Sequence, residues 1–215
     1  MDDAQVAAIG SLTDPTRRRA YELLTRADGP IGRDEVAAAL GIGRTLAAFH
    51  LDKLAEVGLV EVSFARPEGR SGPGAGRPAK HYRIAPGEIA VGLPPRTYGD
   101  LSVLLAEALD RAGADLVAVA VARVQGVVAG RAAGPGADRV EFLTQRGYAP
   151  STAPDGTITL RNCPFAAAAR EFPPLICGMN LALLEGITEG AGWPGEARLD
   201  PAPGRCCVTL KSKTN

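Results

Sequence analysis

The sequence predicts an α+β fold in which helices and short strands alternate along two successive parts of the chain. Three observations support this prediction. Apolar residues recur at helical spacing in residues 14–57, two short strand-like segments follow at 59–62 and 81–84, and a long helical pattern at 98–134 precedes further short strands. The chain of 215 residues is 46% apolar, which is enough for one large domain or two small ones with buried cores.

The first part contains three predicted helices. Asp14-Pro15 marks the start of the first, because an aspartate accepts hydrogen bonds from the free N–H groups of a first turn and proline fits its first position. Gly29-Pro30 ends this helix. The second is predicted at residues 33–40 and the third at 44–57, and the glycine turn Gly41-Ile42-Gly43 joins them.

A basic loop, residues 66–80, separates the two predicted strands of this part. Residues 62–83 carry one acidic and five basic side chains, whereas the whole chain has no formal net charge. Helix, turn, helix, strand, basic loop and strand is the order of a winged helix-turn-helix. This order, with its local positive charge, predicts double-stranded DNA as the partner.

The third helix is expected to enter the major groove of the DNA. A helical wheel places Ala47, Leu51 and Leu54 in the core, and Thr45, Ala48, Phe49 and Asp52 on the outward face. The predicted DNA-binding residues are Arg44, Thr45, Ala48, Phe49 and Lys53 on the helix, and Arg66, Arg70, Arg77 and Lys80 in the loop.

Two aromatic side chains of this helix have alternative interpretations. Phe49 could contact a thymine methyl group, or pack on the first helix. His50 lies at the edge of the core, which favours a structural role over a contact with DNA.

We expect residues 1–86 to form the winged helix-turn-helix, residues 87–96 a proline-containing linker, and residues 97–215 a helical dimerisation segment with an α+β sensor domain. Leu101, Leu104 and Leu105 belong to one apolar stripe, and residues 116–128 are apolar on more than one face. These helices therefore predict a homodimer that reads a palindromic operator.

After the dimerisation segment, the pattern changes to short elements. A helix is predicted at 138–146, strands at 148–150 and 157–161, a helix at 175–189 and a final strand at 206–211.

All four cysteines lie in the last third of the chain: Cys163, Cys177, Cys206 and Cys207. Both histidines lie in the first part, which excludes a mixed His/Cys metal site here, and the cysteine spacing is not that of a zinc ribbon. If Cys206 and Cys207 start a strand, their side chains point to opposite faces, so three thiolates bind one cofactor more naturally than four. Ordinary buried cysteines are the alternative interpretation.

The composition also limits the class of protein and its location. We expect no signal peptide, because no N-terminal stretch combines basic residues, an apolar run and a cleavage site. The most apolar segment, residues 116–122, is too short to cross a bilayer, so we expect a cytoplasmic protein without membrane contact. An enzyme is not expected, because no histidine accompanies the cysteines to activate a thiol and no phosphate-binding glycine loop is present.

Two sets of motifs resemble known families. Residues 48–60 (AFHLDKLAEVGLV) and 76–83 (GRPAKHYR) resemble ArsR-type winged-helix repressors over about residues 8–85. Residues 160–165 (LRNCPF), 177–186 (CGMNLALLEG) and 203–207 (PGRCC) resemble the sensor domain of the Suf-operon repressor family.

The second resemblance implies a transcriptional regulator, a repressor, that holds an iron–sulfur cluster. It implies a [4Fe–4S] or [2Fe–2S] cluster on Cys163, Cys177 and either Cys206 or Cys207. Other hypotheses remain: a winged-helix regulator that senses thiol oxidation through Cys206 and Cys207, zinc or an apolar ligand, and an interaction protein whose winged helix no longer binds DNA.

Overall fold

The computed structural model describes residues 2–65, 78–92, 94 and 96–211. The chain forms two compact units, the N-terminal unit Met1–Arg96 and the C-terminal unit Thr97–Asn215. Each unit has its own buried core.

The described part of the N-terminal unit combines helices with an antiparallel sheet. Its helices are α1 (Asp3–Ser11), α2 (Pro15–Arg26), α3 (Arg33–Leu40) and α4 (Arg44–Glu56), and its strands are β1 (Ile31–Gly32), β2 (Val60–Ala65) and β3 (Ala79–Ile84). The strand order is β1-β3-β2. This arrangement confirms the predicted winged helix-turn-helix.

Local chemistry explains where these helices begin and end. The Asp14 carboxylate accepts a hydrogen bond from the Arg17 N–H at 2.8 Å, and Pro15 follows as the first residue of α2. Gly41 ends α3 with a φ of 67°, a left-handed conformation that glycine adopts without strain. Ala47, Leu51 and Leu54 are buried as the helical wheel predicts. Helix α1 was not predicted from the sequence.

The C-terminal unit is also mixed. Its described helices are α5 (Tyr98–Arg111), α6 (Asp115–Ala133), α7 (Arg139–Gln145), α8 (Ala166–Glu171) and α9 (Pro173–Gly190), and its described strands are β4 (Pro150–Thr152), β5 (Ile158–Leu160), β6 (Glu196–Leu199) and β7 (Val208–Lys211). The strands form an antiparallel sheet in the order β4-β5-β7-β6.

Three sequence expectations need correction in this unit. The helical pattern at 98–134 is two helices, because Gly113 takes a φ of 60° between α5 and α6. Helix α8 and strand β6 were not predicted. Strand β7 begins at Val208, so Cys206 and Cys207 precede the strand and are not part of its alternation.

Helices α6 and α9 pack backbone against backbone through glycines. A Cβ atom at Gly126 would lie 2.2 Å from the Leu183 carbonyl oxygen, and one at Gly190 would lie 2.2 Å from that of Val127. A Cβ atom at Gly130 or Gly186 would likewise lie 2.3 Å from a carbonyl oxygen of the opposite helix. Because no side chain fits at these distances, glycine sets the separation of the two helices.

Helix α6 as a whole is longer and more apolar than the short segment 116–122 suggests. Its 19 residues are long and apolar enough, by length and composition alone, to cross a membrane, a test that core helices of soluble proteins also pass. Arg123, near its middle, forms ion pairs with Glu185 and Glu189 of α9. Its small residues Ala118 and Ala122 are buried, whereas Val117, Val121, Val124 and Val128 are exposed.

Candidate nucleic-acid interface and thiol cluster

Helix α4 exposes most of the side chains predicted to contact DNA. Arg44, Thr45 and Phe49 are exposed, and Ala48 and Lys53 are half-buried. Phe49 keeps 50% of its surface exposed, which confirms its outward position on the helical wheel. These five side chains therefore form an accessible surface on one helix.

His50 differs from its neighbours because it is buried. Its Nδ1 atom lies 3.9 Å from a carboxylate oxygen of Asp14, which caps α2, and its ring meets the ring of Phe49 edge to face. This position supports the structural interpretation of His50.

Three predicted DNA-binding cations are paired with carboxylates of the same unit. Arg44 lies 3.3 Å from Asp34, Lys53 lies 2.6 Å from Glu56, and Lys80 lies 3.0 Å from Asp52. All these side chains are substantially exposed, and exposed ion pairs contribute about 1 kcal/mol or less. The cations can therefore exchange a carboxylate for a phosphate at little cost.

The Asp52 carboxylate connects α4 to strand β3. The Tyr82 hydroxyl donates to Asp52 at 2.8 Å, and the Lys80 ammonium group donates to the same oxygen. Burial raises the pKa of Asp52, but the hydrogen bonds from Lys80 and Tyr82 outweigh it and lower the pKa overall. Burial and the contact with Asp52 raise the pKa of Tyr82. Asp52, predicted on the outward face, thus holds the base of the wing.

The remaining predicted contacts belong to the wing. Lys80 is the second residue of β3, so it lies in a strand instead of the loop that the sequence predicted. Arg66, Arg70 and Arg77 lie outside the described residues.

The four cysteines come from three separate places in the C-terminal unit. Cys163 follows β5, and Cys177 lies in the second turn of α9. Cys206 and Cys207 lie in the turn before β7, where the Cys206 N–H donates to the Leu160 carbonyl at 2.7 Å. The chain therefore converges on one location from β5, α9 and β7.

The thiols form a row in which each contacts the next. Cys163 contacts Cys206, Cys206 contacts Cys207, and Cys207 contacts Cys177. All four are free thiols, and Cys206 is the most buried of them. Among the described residues, no three His, Cys, Asp or Glu side chains are grouped so that they could hold one metal ion. The row brings all four predicted ligands together without surrounding a single point.

Two buried polar side chains that the sequence analysis missed adjoin this row. The Asn180 amide nitrogen donates to the Cys206 sulfur at 3.1 Å, and the Tyr148 hydroxyl donates to the Asn180 amide oxygen at 2.6 Å. Asn180 lies three residues after Cys177, on the same face of α9, so helical spacing could have identified it. Tyr148 is distant in sequence and gave no such signal.

Hydrogen bonds concentrate negative charge on Cys206. Its pKa is lowered to about 6, chiefly because Cys163 donates a hydrogen bond to it, while burial opposes the change and the N–H groups of Val208 and Asn180 add to the lowering. Conversely, the contact with Cys206 and burial raise the pKa of Cys163, and burial and the contact with Cys177 raise that of Cys207. Cys206 therefore becomes a thiolate, the form that binds metals, more readily than Cys163 or Cys207.

Comparisons with known proteins concern the N-terminal unit. Residues 12–63 match the helix-turn-helix domain family. The solution structure of the homodimeric winged helix-turn-helix DNA-binding domain (fragment 1–100) of a possible ArsR-family transcriptional regulator from Mycobacterium bovis is similar at 28% identity, with a TM-score of 0.30. The match covers 39% of this chain and 66% of that one, slightly less than two thirds of its length. No curated protein matches the sequence.

Proposed function

We propose that this protein is an ArsR-type, homodimeric transcriptional repressor of the cytoplasm, whose affinity for its operator responds to an iron–sulfur cluster in the C-terminal unit. The observation that carries the proposal is the combination, in one chain, of a winged helix-turn-helix with a converged row of four thiols. No catalytic role is part of the proposal.

The DNA-binding part rests on helix α4 and the wing. The helix exposes Arg44, Thr45 and Phe49 next to each other, and the family match covers α2 to α4 and most of β2. Arginine at the start of a recognition helix reaches base edges or phosphates, and an exposed aromatic ring suits contact with a thymine methyl group. Lys80, Arg66, Arg70 and Arg77 would contact phosphates along the wing.

The dimer rests on the apolar faces of α5 and α6. Leu101, Leu104 and Leu105 are exposed on α5, and Val117, Val121, Val124 and Val128 are exposed along one side of α6. So large an exposed apolar stripe is unfavourable in water and marks an interface. The small residues of α6 already face α9, so the valine side is the one left for a second copy.

The thiol row fits a cluster better than it fits a single ion. In a cluster each iron needs only its own thiolates, so thiols in a row can bind different irons, whereas one ion needs its ligands around one point. N–H groups directed at the Cys206 sulfur also suit a ligand that carries negative charge. When bound, the cluster would supply one-electron redox chemistry and lability towards oxygen.

In this proposal the chain's own residues carry the signal. Cys163, Cys177 and either Cys206 or Cys207 would bind the cluster, and α9, which carries Cys177, packs on α6 through the glycine contacts. Occupancy changes operator affinity only if the cluster-bound and cluster-free dimers differ in affinity for DNA.

DNA binding is tested with a labelled fragment of the protein's own promoter over a range of salt concentrations. We expect affinity to fall steeply with salt, and Lys80→Ala to weaken binding to all sequences and to reduce the salt slope by about one. Arg198→Ala, which removes an exposed cation of the C-terminal unit, is the matched control. A DNA affinity that does not change with salt concentration, or an equal loss of affinity in Lys80→Ala and Arg198→Ala, would contradict the assignment of Lys80 to the DNA interface.

The cluster is tested by anaerobic reconstitution with iron and sulfide. We expect visible absorbance and stoichiometric iron and sulfide in the wild type, and their loss when Cys163, Cys177 and Cys206 are replaced together by serine. A colourless, iron-free wild type would refute the cluster.

A second candidate is a direct thiol sensor, favoured by the pairwise contacts of Cys163 with Cys206 and of Cys177 with Cys207. Mild oxidant would then change operator affinity in iron-free protein, and peptide mapping would find these two disulfides.

A further inference from the structure

A chain of buried hydrogen bonds ends on one of the four thiols. Tyr148, Asn180 and Cys206 are each 1% exposed. The hydroxyl of Tyr148 donates to the amide oxygen of Asn180, whose amide nitrogen donates to the Cys206 sulfur. Tyr148 lies just before β4, Asn180 lies on α9, and Cys206 lies in the turn before β7, so only the folded unit brings them together.

The chain of donors has one consistent direction. A thiolate sulfur can only accept, so it requires the NH₂ end of the amide, and the amide oxygen is then available for the Tyr148 hydroxyl. If the amide were reversed, its oxygen would face the sulfur lone pairs. The thiolate therefore determines which end of Asn180 faces Cys206, and Tyr148 anchors the other end.

A purely structural role does not account for an asparagine at this position. Burying an amide costs free energy that a hydrogen bond only offsets, and an apolar side chain of similar volume stabilises a core at least as well. The neighbours of Asn180 on α9 that face the core, Leu184 and Ile187, are apolar. The amide of Asn180 thus occupies the position from which it can donate a hydrogen bond to the Cys206 sulfur.

We propose that Asn180 and Tyr148 are positioning residues for Cys206, and that their hydrogen bonds hold the Cys206 sulfur as a ligand of the cluster and tune the cluster's reduction potential. This inference rests on the proposed function, and it selects Cys206 over Cys207 as a ligand. A hydrogen bond to a ligating sulfur withdraws electron density and stabilises the more negative, reduced cluster. Asn180 therefore keeps the potential higher than the thiolates alone would.

The test compares full-length wild type with Asn180→Leu and Tyr148→Phe after anaerobic reconstitution. Asn180→Leu keeps the branched shape of the side chain and removes the donor, whereas Tyr148→Phe keeps the ring and removes the hydroxyl that anchors the amide. We expect both variants to bind a cluster with a more negative midpoint potential, the larger shift in Asn180→Leu, and to lose it in air several-fold faster. Thr188→Val is the matched control, because Thr188 is a buried polar residue of α9 whose hydroxyl bonds to the Leu184 carbonyl.

The outcomes separate the two proposals. A wild type that binds no cluster refutes the proposed function and this inference with it. A wild-type cluster whose potential and lifetime are unchanged in Asn180→Leu and Tyr148→Phe overturns the inference alone. An equal shift in Thr188→Val also overturns it, because the effect would then follow from any polar deletion in α9. A cooperative unfolding transition of the iron-free variants, followed by the fluorescence of the single tryptophan, Trp193, checks that each variant is folded before reconstitution.

Discussion

Asp52 is a residue whose role changes when its surroundings are known. On the helical wheel it shares the outward face with Thr45 and Phe49, but its carboxylate is committed to Tyr82 and Lys80. A free carboxylate on this face would repel phosphate, and these two donors reduce that repulsion. Asp52 thus fixes strand β3 against helix α4.

This network makes stability depend on pH. The pKa of Asp52 is lower in the folded protein than its ordinary value of 3.8. The Asp52 charge therefore stabilises the fold fully at pH values above 3.8, and this stabilisation is lost as pH falls through the lowered pKa of the folded protein. We expect Asp52→Asn to be less stable than wild type at pH 6, and the difference to shrink towards pH 3. Chemical denaturation followed by circular dichroism at both pH values measures this.

Glu61→Gln is the control for Asp52→Asn. It breaks the exposed ion pair with Arg83 on the same sheet, which should contribute little at any pH. A stability difference for Asp52→Asn that is the same at pH 6 and pH 3 would contradict the role assigned to its charge.

Sequence reasoning found the cysteines but not their surroundings. Cysteines are conspicuous in a sequence because they are few, and all four do converge. Tyr148 and Asn180 look like any core tyrosine and helix asparagine, and only the tertiary fold gives them partners. The order of contacts along the thiol row likewise depends on where the turn before β7 lies, which no local pattern determines.

Among the elements, the pair α6 and α9 sets the tightest packing requirement. We expect Gly126→Ala to destabilise the C-terminal unit by ~3 kcal/mol, because the new methyl group would overlap the Leu183 carbonyl and push the helices apart. Gly178→Ala, on α9, is the matched control, since its Cβ would meet only Val119 at an ordinary 3.8 Å. It should be neutral or stabilise by up to about 1 kcal/mol through helix propensity.

Trp193 fluorescence during chemical denaturation measures both glycine variants. Trp193 lies in the core of the C-terminal unit and is the single tryptophan, so it reports this unit alone. Equal stability of Gly126→Ala and Gly178→Ala would show that the helices can separate without cost.

Helices that begin and end at glycines could be predicted from the sequence, whereas elements without such boundary residues could not. The observed bounds of α3 match the predicted ones, and α4 ends one residue earlier than predicted. The agreement is close because glycines flank both helices. Helix α1 buries only Ala8 and Ser11, so it has no apolar periodicity to detect. The break between α5 and α6 was missed because the apolar pattern continues on both sides of it.

For the whole molecule, the proposed dimer would decide how tightly the operator is bound. Two linked recognition helices bind two half-sites with an avidity that one helix lacks, commonly 10²-fold or more. We expect Val121→Glu, on the exposed side of α6, to give a monomer that binds the full operator about 100-fold more weakly and an isolated half-site unchanged. Sedimentation velocity and fluorescence anisotropy measure the two effects.

Val140→Glu, on α7, is the control for Val121→Glu, because it places the same charge on another exposed valine of the C-terminal unit. It should remain a dimer with wild-type affinity. A wild type that sediments as a monomer, or that is recovered in the membrane fraction, would contradict the assignment of the α6 face to a second copy.

The four glycines between α6 and α9 also have a consequence for tracing ancestry. Gly126 and Gly130 are four residues apart, as are Gly186 and Gly190, and each admits no larger residue. Cysteines can be lost when a lineage stops sensing a given signal, but the helix pair would still require this doubled spacing. Distant relatives should therefore be recognisable by two Gly-x-x-x-Gly segments about sixty residues apart, even where every thiol has been replaced.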